Sequence, residues 1–181
     1  MAKVRGTDLI DAEAFVRESY GAAAAEQVCA KLTPETASLY RSPPKDSSWY
    51  PLEALTSYLI AAKTTLDPGS ADFYRRQGRF AAERQKRGSL STMVSNAWLR
   101  MRLARIVWRI YNDVGRLEVV GDSPKHSFAR IHDFPATPET CERFVGIWEG
   151  LAGPGTRAEE TCCVRRGDPC CEIHIRYDEP A

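Results

Sequence analysis

The sequence predicts an α+β fold, an N-terminal helical block followed by an antiparallel β-β-α-β-β unit. Three observations carry that prediction. Apolar residues recur every three to four positions through the first 114 residues. After Gly115 the period shifts to two. A helical stretch over 138–151 then separates two pairs of alternating segments. Residues 1–181 are read as a single domain, 1–114 mostly helical and 115–181 forming the β-β-α-β-β part. One domain commonly spans about 100–200 residues.

Asp8 or Asp11 can cap a helix over 9–20, in which Leu9, Ala12, Phe15 and Val16 share a face. An alanine-rich helix over 22–32 follows Gly21. Thr33-Pro34-Glu35 opens a short helix, because proline at the first helical position forfeits only an amide that has no intrahelical partner. Residues 41–48, rich in Pro, Ser and Asp, read as a loop. Trp49-Tyr50-Pro51-Leu52 starts a helix running to Leu66, with Leu52, Leu55, Leu59 and Ala62 as its apolar stripe. Asp67-Pro68-Gly69-Ser70 interrupts it, and a helix over 71–85 resumes. Gly88-Ser89 precedes the longest helix, 90–111, where Leu90, Val94, Ala97, Met101, Ala104, Trp108 and Tyr111 recur at helical spacing. Leu117, Val119, Phe128 and Ile131 then flank Gly121-Asp122-Ser123-Pro124, a hairpin signal. Pro138-Glu139 begins the last helix and Gly153-Pro154-Gly155 stops it. Finally Cys171, Ile173, Ile175 and Tyr177 alternate with Glu172, His174 and Arg176, the pattern of a strand with one buried face.

Composition narrows the function classes. Twenty-five basic residues against 24 acidic ones leave a net charge of +1, so no overall field draws the molecule to nucleic acid or membrane. No apolar leader core follows the N-terminus and no run of 18 apolar residues occurs, which predicts a cytoplasmic protein with reduced thiols. The basic interval 75–87 reads as a solvated helix face. No phosphate-binding glycine loop, nucleophile elbow or His-Glu-x-x-His helix is present, so the chain is predicted not to be an enzyme.

Four of six cysteines cluster as Cys162-Cys163 and Cys170-Cys171. A hairpin turning about Gly167 sets Cys163 opposite Cys171 on the core face with Ile173 and Ile175, and sends Cys162 and Cys170 to the other face. In a reducing compartment such thiols serve a metal, a redox pair or plain core packing, and all three readings stay open.

The segment from Glu160 to Ile173 resembles the C-terminal signature of the 4-vinyl reductase-like superfamily: an acidic residue, a cysteine, a Gly-Asp turn, a cysteine eight residues on, then alternating apolar residues. Gly6, Trp49-Tyr50-Pro51-Leu52, Trp108-Arg109-Ile110-Tyr111 and Gly115-Arg116-Leu117-Glu118-Val119-Val120 are further similar to an uncharacterised myxobacterial branch. The resemblance covers nearly the whole chain and implies the fold shared by haem–nitric-oxide-binding domains and transport-particle subunits. It also implies a structural zinc held by Cys141, Glu160, Cys163 and Cys171, a donor set that suits a closed tetrahedral site. A regular strand would put Glu160 on the opposite face from Cys163, so that site requires a bulge. The interval from Cys141 to Glu160 is also shorter than the resemblance leads one to expect.

Haem is disfavoured at this level. His126, His132 and His174 fall in or beside strands, and Tyr40-Arg41-Ser42-Pro43-Pro44 lacks the arginine of the Tyr-x-Ser-x-Arg signature. The resulting expectation is a non-catalytic domain that senses a small hydrophobic or aromatic molecule and acts through a partner protein. Its pocket would lie between the long helix and the sheet, lined by Trp98, Met101, Trp108 and Phe128. The alternative is a protein–protein interaction module, including a homodimer; an enzyme of the vinyl reductase type ranks below both.

Overall fold

The computed structural model describes residues 1–87, 97–121, 123 and 125–177. Its elements run β1 (Lys3–Arg5), α1 (Gly6–Tyr20), α2 (Ala22–Cys29), α3 (Pro34–Arg41), β2 (Trp49–Pro51), α4 (Leu52–Leu66), α5 (Phe73–Arg87) and α6 (Ala97–Tyr111). Then follow β3 (Arg116–Val120), β4 (His126–His132), α7 (Pro138–Ala152), β5 (Thr156–Cys162) and β6 (Cys171–Tyr177). The α+β class and the order of the helices and of β3–β6 are as predicted, with the short pair β1–β2 added within the helical block, and strands β3–β6 form an antiparallel sheet in the order β3-β4-β6-β5. The first part of the predicted long helix, residues 90–96, lies outside the described residues.

Caps explain where several helices begin. The Thr33 side chain accepts from the Thr36 amide ahead of Pro34. Thr137 and Thr140 form a reciprocal capping box at the start of α7, each taking one amide that the helix leaves unpaired. Trp49-Tyr50-Pro51 departs from expectation. It forms β2, paired antiparallel with β1, and the helix starts only at Leu52. Three residues are too few for a strand period to show in sequence, and the pairing partner lies far off at Lys3–Arg5.

On the sheet, Ala129, Ile131, Ile173 and Ile175 face inward and are almost fully buried. They join a hydrophobic cluster with residues of α1, α2, α4, α5, α6 and α7. The basic residues of 75–87 keep a partly solvated face, and the opposite face of the helix is buried. Helix α5 buries Phe73, Tyr74, Gln77, Ala81 and Ala82, and packs directly on α7. The crossing is close because it is built on glycine. A Cβ at Gly146 would lie 1.9 Å from the Arg75 carbonyl oxygen, and one at Gly78 would lie 2.1 Å from that of Arg143. The arginines of α5 remain at the rim, where Arg75 and Arg79 meet Glu149, Arg76 meets Asp67 and Asp72, and Arg84 meets Asp11 and Glu18.

Candidate functional site

Two constellations have the geometry of sites. The first is the cysteine cluster. Cys141 projects from α7, Glu160 from β5, Cys163 from the turn and Cys171 from the start of β6, and one ligand atom from each lies within 4.8 Å of all the others. Sγ of Cys163 stands 3.6 Å from that of Cys141 and 3.8 Å from that of Cys171. Thiolates about 2.3 Å from a tetrahedral zinc stand about 3.8 Å apart, so these spacings match the edges of such a site. Strand parity is relieved where required, since the β5–β6 register shifts between Glu160 and Cys162. Glu160 Oε1 is buried without a hydrogen-bond partner among the described residues. Burial pushes the Cys141 thiol far up, with Glu160 and Cys163 adding to the rise, and burial also raises Cys171. The turn is held by Asp168, whose carboxylate accepts the Cys163 amide at 2.7 Å, and by Gly167 in the left-handed region at φ 90°.

The inward placement of Cys163 and Cys171, and the outward placement of His174 and Arg176, follow the alternation read from sequence. Cys170 does not. It was assigned to the outer face with Cys162, yet it is buried, whereas Cys162 is half-buried. Cys170 precedes β6, so the alternation of that strand does not govern it.

The second constellation is a partly open cavity of about 50 Å³ between α6 and α7, flanked by α1 and the end of α5. Ala104, Trp108 and Tyr111 face it from α6, and Phe144 and Trp148 from α7. Asp8 and Arg143, both buried, supply its polar wall as an ion pair. Arg143 also donates from Nε to Gln77 Oε1 at 2.7 Å, so its guanidinium is fixed on two sides. The Trp148 indole N–H is buried with no acceptor among the described residues. Trp108, by contrast, donates to the Gly115 carbonyl oxygen at 3.2 Å and packs on Phe134 and Phe144. Burial raises the Tyr111 phenol, which keeps it a neutral donor.

Of the residues expected to line a pocket, Trp108 does line this one, and Met101 is fully buried in the core. The Trp98 side chain lies outside the described residues. Phe128 is on the opposite face of the sheet, stacked on His174 with ring centroids 4.4 Å apart. The physical reason is parity: Ser127, Ala129 and Ile131 point inward, so Phe128 cannot. The cavity therefore lies between two helices instead of between helix and sheet. Sequence reading missed Asp8, Arg143 and Trp148 as site residues. The one available signal was an arginine on the apolar face of α7, one position before Phe144.

No protein-family model and no curated protein matches the sequence. Solved structures do match in fold. An H-NOX protein from S. oneidensis in the Fe(II)NO ligation state aligns with TM-score 0.70 at 14% identity, covering 95% of this chain and 98% of that one. An Fe(II) unliganded H-NOX mutant from K. algicida aligns with TM-score 0.73 at 10% identity and 97% coverage of both chains. A structure from work on haem distortion in the H-NOX family aligns with TM-score 0.69 at 12% identity, covering 98% and 96%.

These likenesses overturn the expectation that disfavoured haem, because the matching structures are ones whose descriptions specify ferrous iron and haem. The placement of three histidines and the missing signature arginine after Tyr40 are local features, whereas the likeness is one of the whole fold. The cleft between α6 and α7 measures about 50 Å³, and no histidine is among the described residues that line it. The chemistry below is accordingly derived from the chain's own residues. What sheet order, helix order and near-complete coverage jointly establish is that this chain has the fold of the H-NOX proteins.

Proposed function

We propose that this chain is a non-catalytic domain that binds a small molecule between α6 and α7 and acts through a partner protein. The observation that carries the reading is Trp148, whose buried indole N–H has no acceptor among the described residues and which lines the same cavity as the Asp8–Arg143 pair. A buried donor left unmade costs about 1–3 kcal/mol, which a ligand acceptor or an ordered water would recover. The cavity suits a molecule of a few heavy atoms carrying one acceptor. An aromatic ligand requires about 150 Å³, so it would have to part α6 from α7. In this mechanism Trp148 donates to the ligand, while Asp8 and Gln77 hold Arg143 in place beside it. Occupancy then sets the spacing of α6 from α7.

Alongside this, Cys141, Glu160, Cys163 and Cys171 are proposed to hold one zinc ion, tying the β5–β6 hairpin to α7. The donor set and its spacings fit a structural site with no open position. The vinyl-reductase-like kinship and a homodimeric state belong to this proposal as well. No described helix is long and apolar enough to cross a membrane.

The test is native mass spectrometry and an absorption spectrum of protein purified without chelator, followed by thermal titration with acetamide and nitrite as small acceptor-bearing probes. The expected result is one zinc per chain and a probe-dependent rise in Tm that Trp148→Phe abolishes. No shift with either probe would sink the small-ligand reading. A Soret band in the purified protein would assign the ligand to haem instead.

A further inference from the structure

The outward face of α6 leaves large apolar side chains in solvent. Ile106 is 62% exposed and Ile110 51% exposed, one helical turn apart. Arg105 and Arg109 run beside them, and neither makes an ion pair among the described residues. With Gly115, Arg116 and Leu117 they form an open groove of about 730 Å³. The basic helix α5 offers nothing comparable, because Arg75, Arg76, Arg79 and Arg84 are all engaged with carboxylates of the same chain.

We propose that this groove docks an acidic amphipathic helix of a partner protein, its apolar residues against Ile106 and Ile110 and its carboxylates against Arg105 and Arg109. Two parallel stripes, apolar and cationic, match such a helix read at i and i+4. A second copy of this chain fits poorly. Twofold pairing through this face would set Arg105 and Arg109 against their own equivalents. The acidic residues on the outer face of the sheet are also taken, Glu159 by Arg176 and Glu172 by Arg130. A nucleic acid would use the arginines and leave the isoleucines idle. Trp108 lines both this groove and the inner cavity, so α6 is a wall common to the two. The proposal thereby deepens the partner-directed reading above and rests on it for its role, although peptide docking does not require a ligand in the cavity.

The probe is a fluorescent helical peptide of about five turns with a leucine stripe flanked by glutamates, followed by anisotropy against the full chain. Saturable binding is expected, weakening as salt rises. Arg105→Glu with Arg109→Glu should weaken it about tenfold or more, and Ile106→Ser with Ile110→Ser comparably. These side chains are exposed, so Tm should hold in all variants. A lysine-for-glutamate peptide should not bind, and a DNA duplex should not compete. Absent saturation, equal binding of the lysine peptide, unchanged affinity in both double variants, or a competing duplex that ignores the isoleucine changes would each overturn the proposal. Peptide binding without any response to acetamide or nitrite would retain it and sink the small-ligand reading; the converse result would do the reverse.

Discussion

Glu160 shows how a single residue can be misjudged by regular geometry. In an unbroken strand it would point away from Cys163, but the register shift before Cys162 turns it into the cysteine cluster and leaves its Oε1 without a partner. A divalent cation at that point would reverse the electrostatics that now raise the Cys141 and Cys171 thiols. Zinc binding energy acts as folding energy, so chelation should lower Tm substantially. Cys163→Ser is expected to abolish metal content, whereas Cys162→Ser on the neighbouring position should retain it; plasma emission spectrometry and melting curves with a chelator decide between them. Protein that purifies metal-free and melts unchanged with chelator would leave Cys141, Cys163 and Cys171 as packed core thiols.

Among the elements, the α5–α7 crossing is set by what is missing from its side chains. Gly78, Gly146 and Gly150 let the two backbones approach so closely that a methyl group at any of them would meet a carbonyl oxygen of the facing helix at 2.1, 1.9 or 2.8 Å. Gly146→Ala should therefore cost about 1–3 kcal/mol or more, by forcing the helices apart. Gly69→Ala, where a Cβ meets nothing within 4 Å, should stay within about 0.5 kcal/mol. Urea denaturation of both variants checks this, and equal stabilities would show that the helices separate without strain. The spacing Gly146-x-x-x-Gly150 was visible in the chain, yet its meaning depended on a partner helix some 70 residues away.

At the scale of the whole molecule, the helical block and the sheet part are joined by charged groups as well as by apolar contact. Glu149 on α7 receives Arg75 from α5 at 2.9 Å through Nε and the Ala158 amide of β5 at 3.2 Å. Burial pushes its carboxyl up, but the hydrogen bonds from Arg75 and the Ala158 N–H together with the arginine charges outweigh this and hold it below the ordinary glutamate value of 4.5. A depressed folded pKa contributes stability that is fully present above the unfolded value and is lost as pH falls through the folded one. Glu149→Gln should accordingly be less stable than the parent at neutral pH, with the gap closing below about pH 4. Denaturation midpoints at neutral and acid pH measure it, and a gap that does not vary with pH would mean that Glu149 acts only through its shape. Asp8 and Arg143 make a second tie of this kind, between α1 and α7.

The sequence by itself determined the α+β class and the order of the helices and of β3–β6, but not β1 or β2, because helical and strand periods are local and show only where a segment is long enough to repeat. It also determined the inward register of Cys171, Ile173 and Ile175, since a period of two admits only one face. The tertiary structure decided where the cavity lies, which arginines are free and whether Glu160 could reach the thiols. Each of these depends on pairings between residues distant in the chain, such as Asp8 with Arg143, Arg75 with Glu149 and Phe128 with His174. Local period carries no record of such pairings, because it reports which residues share a face and not what that face meets.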